Sequence, residues 1–284
     1  MDKKVLAGVG IGGVIALVLG GKAVASHVAA KEVDKAISEV SEFVEIDYKK
    51  VEQSIIGRGT TVKDVVMTPV GSDEPIKVNE VVLYDYDQKD NVPTYMNFAL
   101  KGVSMDLAGL EENGANLAEL GYEGDLSGDF ATEYAYDEEN RTIRLKKIEM
   151  GADDLGSIEM NMSLANISLD EDAIASLPFS LFGAEFQDAK IVYKDDSFVE
   201  RILESGAKAE GISVKEAKEA LIEDLEAESG ELPEDFVREM SDFIKDPDSF
   251  TLTFSPEEPV PLGSFLQVGS NEDIIELLNV EFDS

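Results

Sequence analysis

YEGDLSGDFATEYAY, residues 122–136, alternates with a period of two. Tyr122, Leu126, Phe130, Tyr134 and Tyr136 share one parity, while Glu123, Asp125, Asp129 and Glu133 share the other. Successive side chains of a strand point to opposite faces, so this pattern predicts a strand with one apolar and one acidic face. If residues 122–137 were continuous, the strand would reach roughly 50 Å, far beyond an average strand. A sheet of such strands must hide its apolar face from water, which sets the question for the rest of the chain.

Outward from this stretch the same period recurs. Asp137-Glu138-Glu139-Asn140 reads as a turn, RTIRLKKIEM (141–150) as the returning strand, and Gly151 to Gly156 as a second turn. Ile158, Met160, Met162 and Leu164 line a third strand. Upstream, Ile76, Val78, Val82, Tyr84 and Tyr86 line one strand, and Met96, Phe98 and Leu100 line its neighbour. Sequential neighbours of this kind predict an antiparallel meander over about residues 45–169. The parity slips from Leu100 to Val103 across Lys101-Gly102 and from Leu145 to Ile148 across Lys146-Lys147. A one-residue slip is the signature of a β-bulge, and bulges bend sheets.

Residues 170–284 change character. FQDAKIVYKDDSFVERILESGAKAEG (186–211) reads as a strand entering a helix, with Asp195-Asp196-Ser197 as its cap. ISVKEAKEALIEDLEAE (212–228) reads as a helix whose Ser213 and Glu216 have capping-box spacing. Pro233 is placed as the first residue of a further helix carrying Phe236, Met240, Phe243 and Ile244. A short strand with Phe250, Leu252 and Phe254 on one face follows, then a final short helix and strand. The expected fold is α+β: a long, curved antiparallel sheet packed with helices from the C-terminal half, plus one N-terminal transmembrane helix. The apolar sheet face is either covered by those helices or open as a groove for a greasy ligand. For the second case the expected ligand-binding residues are Tyr122, Leu126, Phe130, Tyr134, Met160 and Met162.

The N-terminus sets location. Lys3 and Lys4 precede an uncharged run, Val5 to Gly21. As a helix it would span about 25 Å, slightly short of a ~30 Å hydrocarbon core, and Lys22 can snorkel to make up the difference. Residues 1–30 therefore read as a membrane anchor or signal. Ala23-Val24-Ala25 before Ser26 fits the small-residue rule for cleavage. Against cleavage, Val33, Ile37, Val40 and Val44 continue at helical spacing, which marks 31–44 as a connecting helix and favours a retained anchor. The lysines before the run place the N-terminus in the cytoplasm and the acidic ectodomain, residues 45–284, in the periplasm.

Composition narrows function. Sixty Asp and Glu oppose 24 Lys and Arg, a formal net charge of −36. Such a surface repels nucleic acid and anionic headgroups. There is no cysteine, and the one histidine, His27, lies beside the apolar run, so thiolate sites and histidine-based catalysis in the body are excluded. Asp85, Asp87, Asp90 and Asn91 cluster in YDYDQKDN, but an EF-hand would need glycine where Asp90 stands and glutamate where Met96 stands. LDEDA (169–173) reads as charge at a helix start, and with 60 acids some carboxylate pairing is inevitable. No cofactor and no enzymatic activity are expected.

Three stretches carry a resemblance: the anchor ending in Gly21-Lys22 followed by a short helix and EIDYKKVEQSIIGRGTTVKDVVMTP (45–69), the segment VYKDDSFVERILESGAKAEGISVKEAKEAL (192–221), and FIKDPDSFTLTFSPEEPVPL (243–262). Together they resemble the YdgA-like family of poorly characterised bacterial envelope proteins, loosely AsmA-like in style, over about half the chain. The resemblance implies an envelope location and a β-rich ectodomain, and it transfers no catalytic residue. AsmA-like proteins are linked to phospholipid transport, so the expected function is binding or scaffolding of envelope proteins from the inner membrane, with lipid carriage as the alternative.

Overall fold

The computed structural model describes residues 33–34, 37–38, 41, 44–53, 59–71, 75–89, 92–106, 117–169, 183–228, 232–267 and 271–284. These residues form an α+β fold with one antiparallel sheet of twelve strands and four α-helices. The strands are β1 (Val44–Asp47), β2 (Lys50–Gln53), β3 (Thr60–Pro69), β4 (Ile76–Lys89), β5 (Val92–Asp106), β6 (Asp125–Asp137), β7 (Thr142–Ala152), β8 (Gly156–Ala165), β9 (Glu185–Asp195), β10 (Ser249–Phe254), β11 (Val260–Pro261) and β12 (Val280–Asp283). The helices are α1 (Phe198–Glu210), α2 (Val214–Glu228), α3 (Glu234–Lys245) and α4 (Asn271–Leu278), with a 3-10 turn at Leu262–Gln267. Strand order is β1-β3-β4-β5-β6-β7-β8-β9-β10-β12, with β2 also on β3 and β11 also on β9. Neighbours in sequence are neighbours in space through β9, the meander that the alternating pattern predicts.

The chain divides into two compact units. The first holds residues up to 118 together with 122–136 and 148–152, and the second holds 119–121, 137–147 and 153–284. In the first unit, Val62, Val81, Leu100 and Phe130 form one ladder across β3 to β6. Val65, Val78 and Val103 form a second across β3 to β5. Three residues, not two, separate the ladders along each of these three strands. The apolar parity therefore slips along a single transverse line, so both ladders face one core. The line passes Asp64 in β3 (φ 51°), Asn79 in β4 and Gly102 in β5 (φ 58°). On β5 it is a bulge, with Lys101 and Gly102 set against Asp129 alone, as the sequence suggests. The Gly102 N–H donates to Asp129 Oδ1 at 2.7 Å. A Cβ at Gly102 would fall 2.1 Å from the Asn79 side-chain nitrogen, so both its backbone conformation and its neighbour require glycine.

Two expectations for this unit are corrected. Along β4 the core residues are Val78, Val81 and Leu83, with Ile76 and Tyr86 packed beside them, while Tyr84 is 44% exposed. Val81-Val82-Leu83-Tyr84 is an unbroken apolar run, and period-two reading has no polar residue there to fix the face. Moreover, no C-terminal helix joins the core cluster of this unit. The described residues 33–34 and 37–38 are helical, and Val33 sits in that cluster at 2% exposure with Ile37 against it. The Tyr48 hydroxyl donates to Asp34 Oδ1 at 2.6 Å and ties this segment to the turn after β1.

In the second unit the local signals hold. Ser213 and Glu216 form the capping box: the Glu216 N–H donates to Ser213 Oγ at 3.2 Å, and the Ser213 N–H donates to Glu216 Oε2 at 2.8 Å. Those bonds from Ser213 hold the Glu216 carboxyl below the usual range. The cap of α1 is Asp195, whose Oδ1 accepts the Val199 N–H at 3.0 Å, whereas the Ser197 side chain makes no capping bond. Pro233 is the N-cap of α3 rather than its first helical residue, because its ψ of 136° is extended. At the expected turn after β6, the Asp137 carboxylate accepts the N–H groups of Glu139 and Asn140, both at 3.1 Å. Residues 5–21 and 170–173 lie outside the described residues. Among the described ones no helix is long and apolar enough to cross a membrane.

Candidate functional site

The second unit presents an apolar sheet face built by register. Ile158, Tyr193 and Phe250 lie side by side across β8, β9 and β10. Met160, Ile191, Leu252 and Phe282 form the next row, and Met162, Ala189, Phe254 and Val280 the third. Because these residues alternate with Glu159, Asn161, Lys190, Thr251 and Thr253, the opposite face is polar.

The two ends of this face are covered differently. At one end α3 lays Phe243 edge-on to Phe250, with ring centroids 5.1 Å apart, and Phe236 over Phe282 at 5.4 Å. Tyr193 joins this cluster 5.2 Å from Phe250, and Phe250 stacks on Phe282 at 5.1 Å. Helix α3 can do this because Phe236, Met240, Phe243 and Ile244 recur on one side of it. At the other end Phe186, Ala189, Val260 and Leu278 are buried, with Met162, Leu164, Phe254, Phe265 and Ile274 packed against them. Along β8 the cover thins. Ile158 is 39% exposed, and Met160 is only half-buried. A methionine next to an open aliphatic position suits an adaptable apolar contact, since its unbranched thioether fills irregular gaps.

The six residues expected to bind a ligand fall in both units. Met160 and Met162 belong to the face just described. Tyr122, Leu126, Phe130 and Tyr134 belong to the first unit. Tyr122 lies before β6, not in it: Gly121 (φ 82°) and Gly124 (φ 86°) turn the chain on either side. Its N–H donates to the Leu117 carbonyl at 3.1 Å, and it is buried. Leu126 pairs with Met105. Phe130 packs on the core with its ring 5.8 Å from Phe98. Tyr134 packs on the same core, and burial pushes its phenol up to about 12. Ile158, Ile191 and Leu252 were not among the expected residues, although the period-two pattern of 158–164 and 250–254 carries the signal.

Asp85 and Asp87 sit in β4, close to its turn into β5. Among the described residues no group of three or more His, Asp or Glu converges as a metal site. A family model described only as an uncharacterized protein matches residues 149–284, which take in β8 to β12 and the four helices. No curated protein matches the chain. Neither finding adds to the resemblance to YdgA-like proteins.

Proposed function

We propose that this chain is a single-pass protein of the bacterial inner membrane, with its acidic body in the periplasm. It works by binding other envelope components, as a tether or scaffold, without chemistry of its own. The observation that carries the reading is the uncharged run Val5 to Gly21, led by Lys3 and Lys4 and closed by Lys22. The YdgA-like resemblance supports the same location. Protease added to spheroplasts tests it: the body should be digested from outside while the membrane fraction keeps the N-terminal segment. A body that stays intact until the spheroplasts are lysed would overturn the periplasmic placement.

A second reading, amphiphile binding, is favoured by the thinly covered face at Ile158 and Met160. Native mass spectrometry of residues 31–284, prepared without detergent, addresses it. A bound species of lipid mass near one per chain would support a carrier, and an apo mass alone would count against one.

A further inference from the structure

Resting on the anchor reading above, we infer that the first unit is held close to the membrane surface, so that the partners it reaches lie in the same membrane. Three observations lead there. First, the folded body begins at Val33, which is 2% exposed within the core, and Asp34 is bonded to Tyr48 at 2.6 Å. The segment that leaves the membrane is thus part of the unit itself, and the residues free to act as a linker are 22–32. Second, eleven residues reach at most about 40 Å whatever their conformation, at 3.3–3.6 Å each. A flexible chain of that length averages about 20 Å end to end. Third, the charge is distributed to permit the approach. Residues 1–63 carry nine basic and eight acidic side chains, whereas residues 64–284 carry 15 and 52. The stretch nearest the anchor is therefore close to neutral, and the charge that anionic headgroups would repel lies further along the chain. A short linker also raises the local concentration of the unit toward anything else fixed in that membrane.

The turn after β1 marks this end of the unit. Lys49 follows Tyr48, its side chain is 77% exposed, and its one ion pair there, to Asp64 at 3.4 Å, lies at the surface, where such pairs contribute little. Because the chain has no cysteine, Lys49→Cys offers a single labelling position. The full chain, carrying a donor dye at that position, is reconstituted into phosphatidylcholine vesicles bearing a headgroup acceptor. The expected result is strong energy transfer. Inserting about 40 Gly/Ser residues between Ala29 and Ala30 adds roughly 35 Å of mean span and should cut that transfer several-fold, while the protein still floats with the vesicles. Protein that floats but shows weak transfer, or transfer indifferent to the insertion, overturns the inference and leaves the anchor standing. Protein that does not float overturns the anchor reading and this inference with it.

Discussion

The first unit hides aliphatic side chains and the second hides rings. In the first, Val33, Val44 and Val78 are at most 2% exposed, and Val62, Val65, Met67 and Val81 surround them. In the second, the cluster of Tyr193, Phe236, Phe243, Phe250 and Phe282 spreads over a sheet face, and most of its members are only half-buried. The difference follows from what covers each sheet. A core of β-branched residues packs closely when a face is closed from both sides. A face spanned by one amphipathic helix at one end and a 3-10 turn with a short helix at the other is bridged by large side chains, which reach across wider gaps. The first unit should therefore respond to truncation as a filled core does, and the second as a partly open one.

Phe98→Ala provides the largest contrast. Phe98 is 3% exposed and meets Phe130, so its loss should cost about 3–5 kcal/mol, read as a fall in the urea midpoint with unchanged slope. Phe250→Ala should cost less, about 2 kcal/mol, because the ring is half-buried and its neighbours can close in. Equal losses would break the comparison by showing the second face to be as closed as the first. Val33→Ala sharpens it from the other side. If the N-terminal segment is core, losing two methyl groups should cost about 2 kcal/mol, and a neutral result would show that the segment merely lies on the surface.

What the sequence made legible was local. Ser213 and Glu216 stand three apart ahead of an apolar face, and the capping box forms with no help from elsewhere in the chain. Lys101-Gly102 announces its bulge because glycine supplies the positive φ. By contrast, the matching slips at Asp64 and Asn79 carry no glycine, and Val81 to Tyr84 offers four apolar residues in a row, so the core face of β4 was read wrongly. The spacing of Val33 and Ile37 reveals an amphipathic helix but not the sheet it packs on, because that depends on contacts with residues 30 or more positions away. The candidate site shows the same limit. Parity put Tyr122 in line with Phe130, but Gly121 and Gly124, visible in the same stretch, turn the chain before the strand begins. Parity also treated Phe130 and Met160 as one face, although they lie in different units. Ser213→Ala measures the local part: loss of the cap should cost about 1 kcal/mol in the second unit, and no loss would mean that α2 does not depend on its box.

The smallest expected effect at neutral pH belongs to Tyr134, and it bears directly on whether the first face is closed. Burial pushes its phenol up to about 12, against an ordinary value of 10. A group with a raised folded pKa keeps its full contribution below the unfolded value, so nothing should change up to about pH 10. Between pH 10 and 12 the unfolded chain has released that proton while the folded chain still holds it, and stability should fall. Tyr48 adds to the same window, because its hydrogen bond to Asp34 also pushes it up to about 12. The chain has no tryptophan, so tyrosinate absorbance is read without overlap. Subtracting the titration of Tyr134→Phe from that of the native chain isolates this one phenol, provided far-ultraviolet dichroism shows both still folded. A difference midpoint near 12 places Tyr134 in a dry core, continuous with Phe130 and Met96. A midpoint near 10 places it against water, and the face between β5 and β6 would then have to be treated as a groove, with Phe130 and Tyr134 back among the residues a ligand meets.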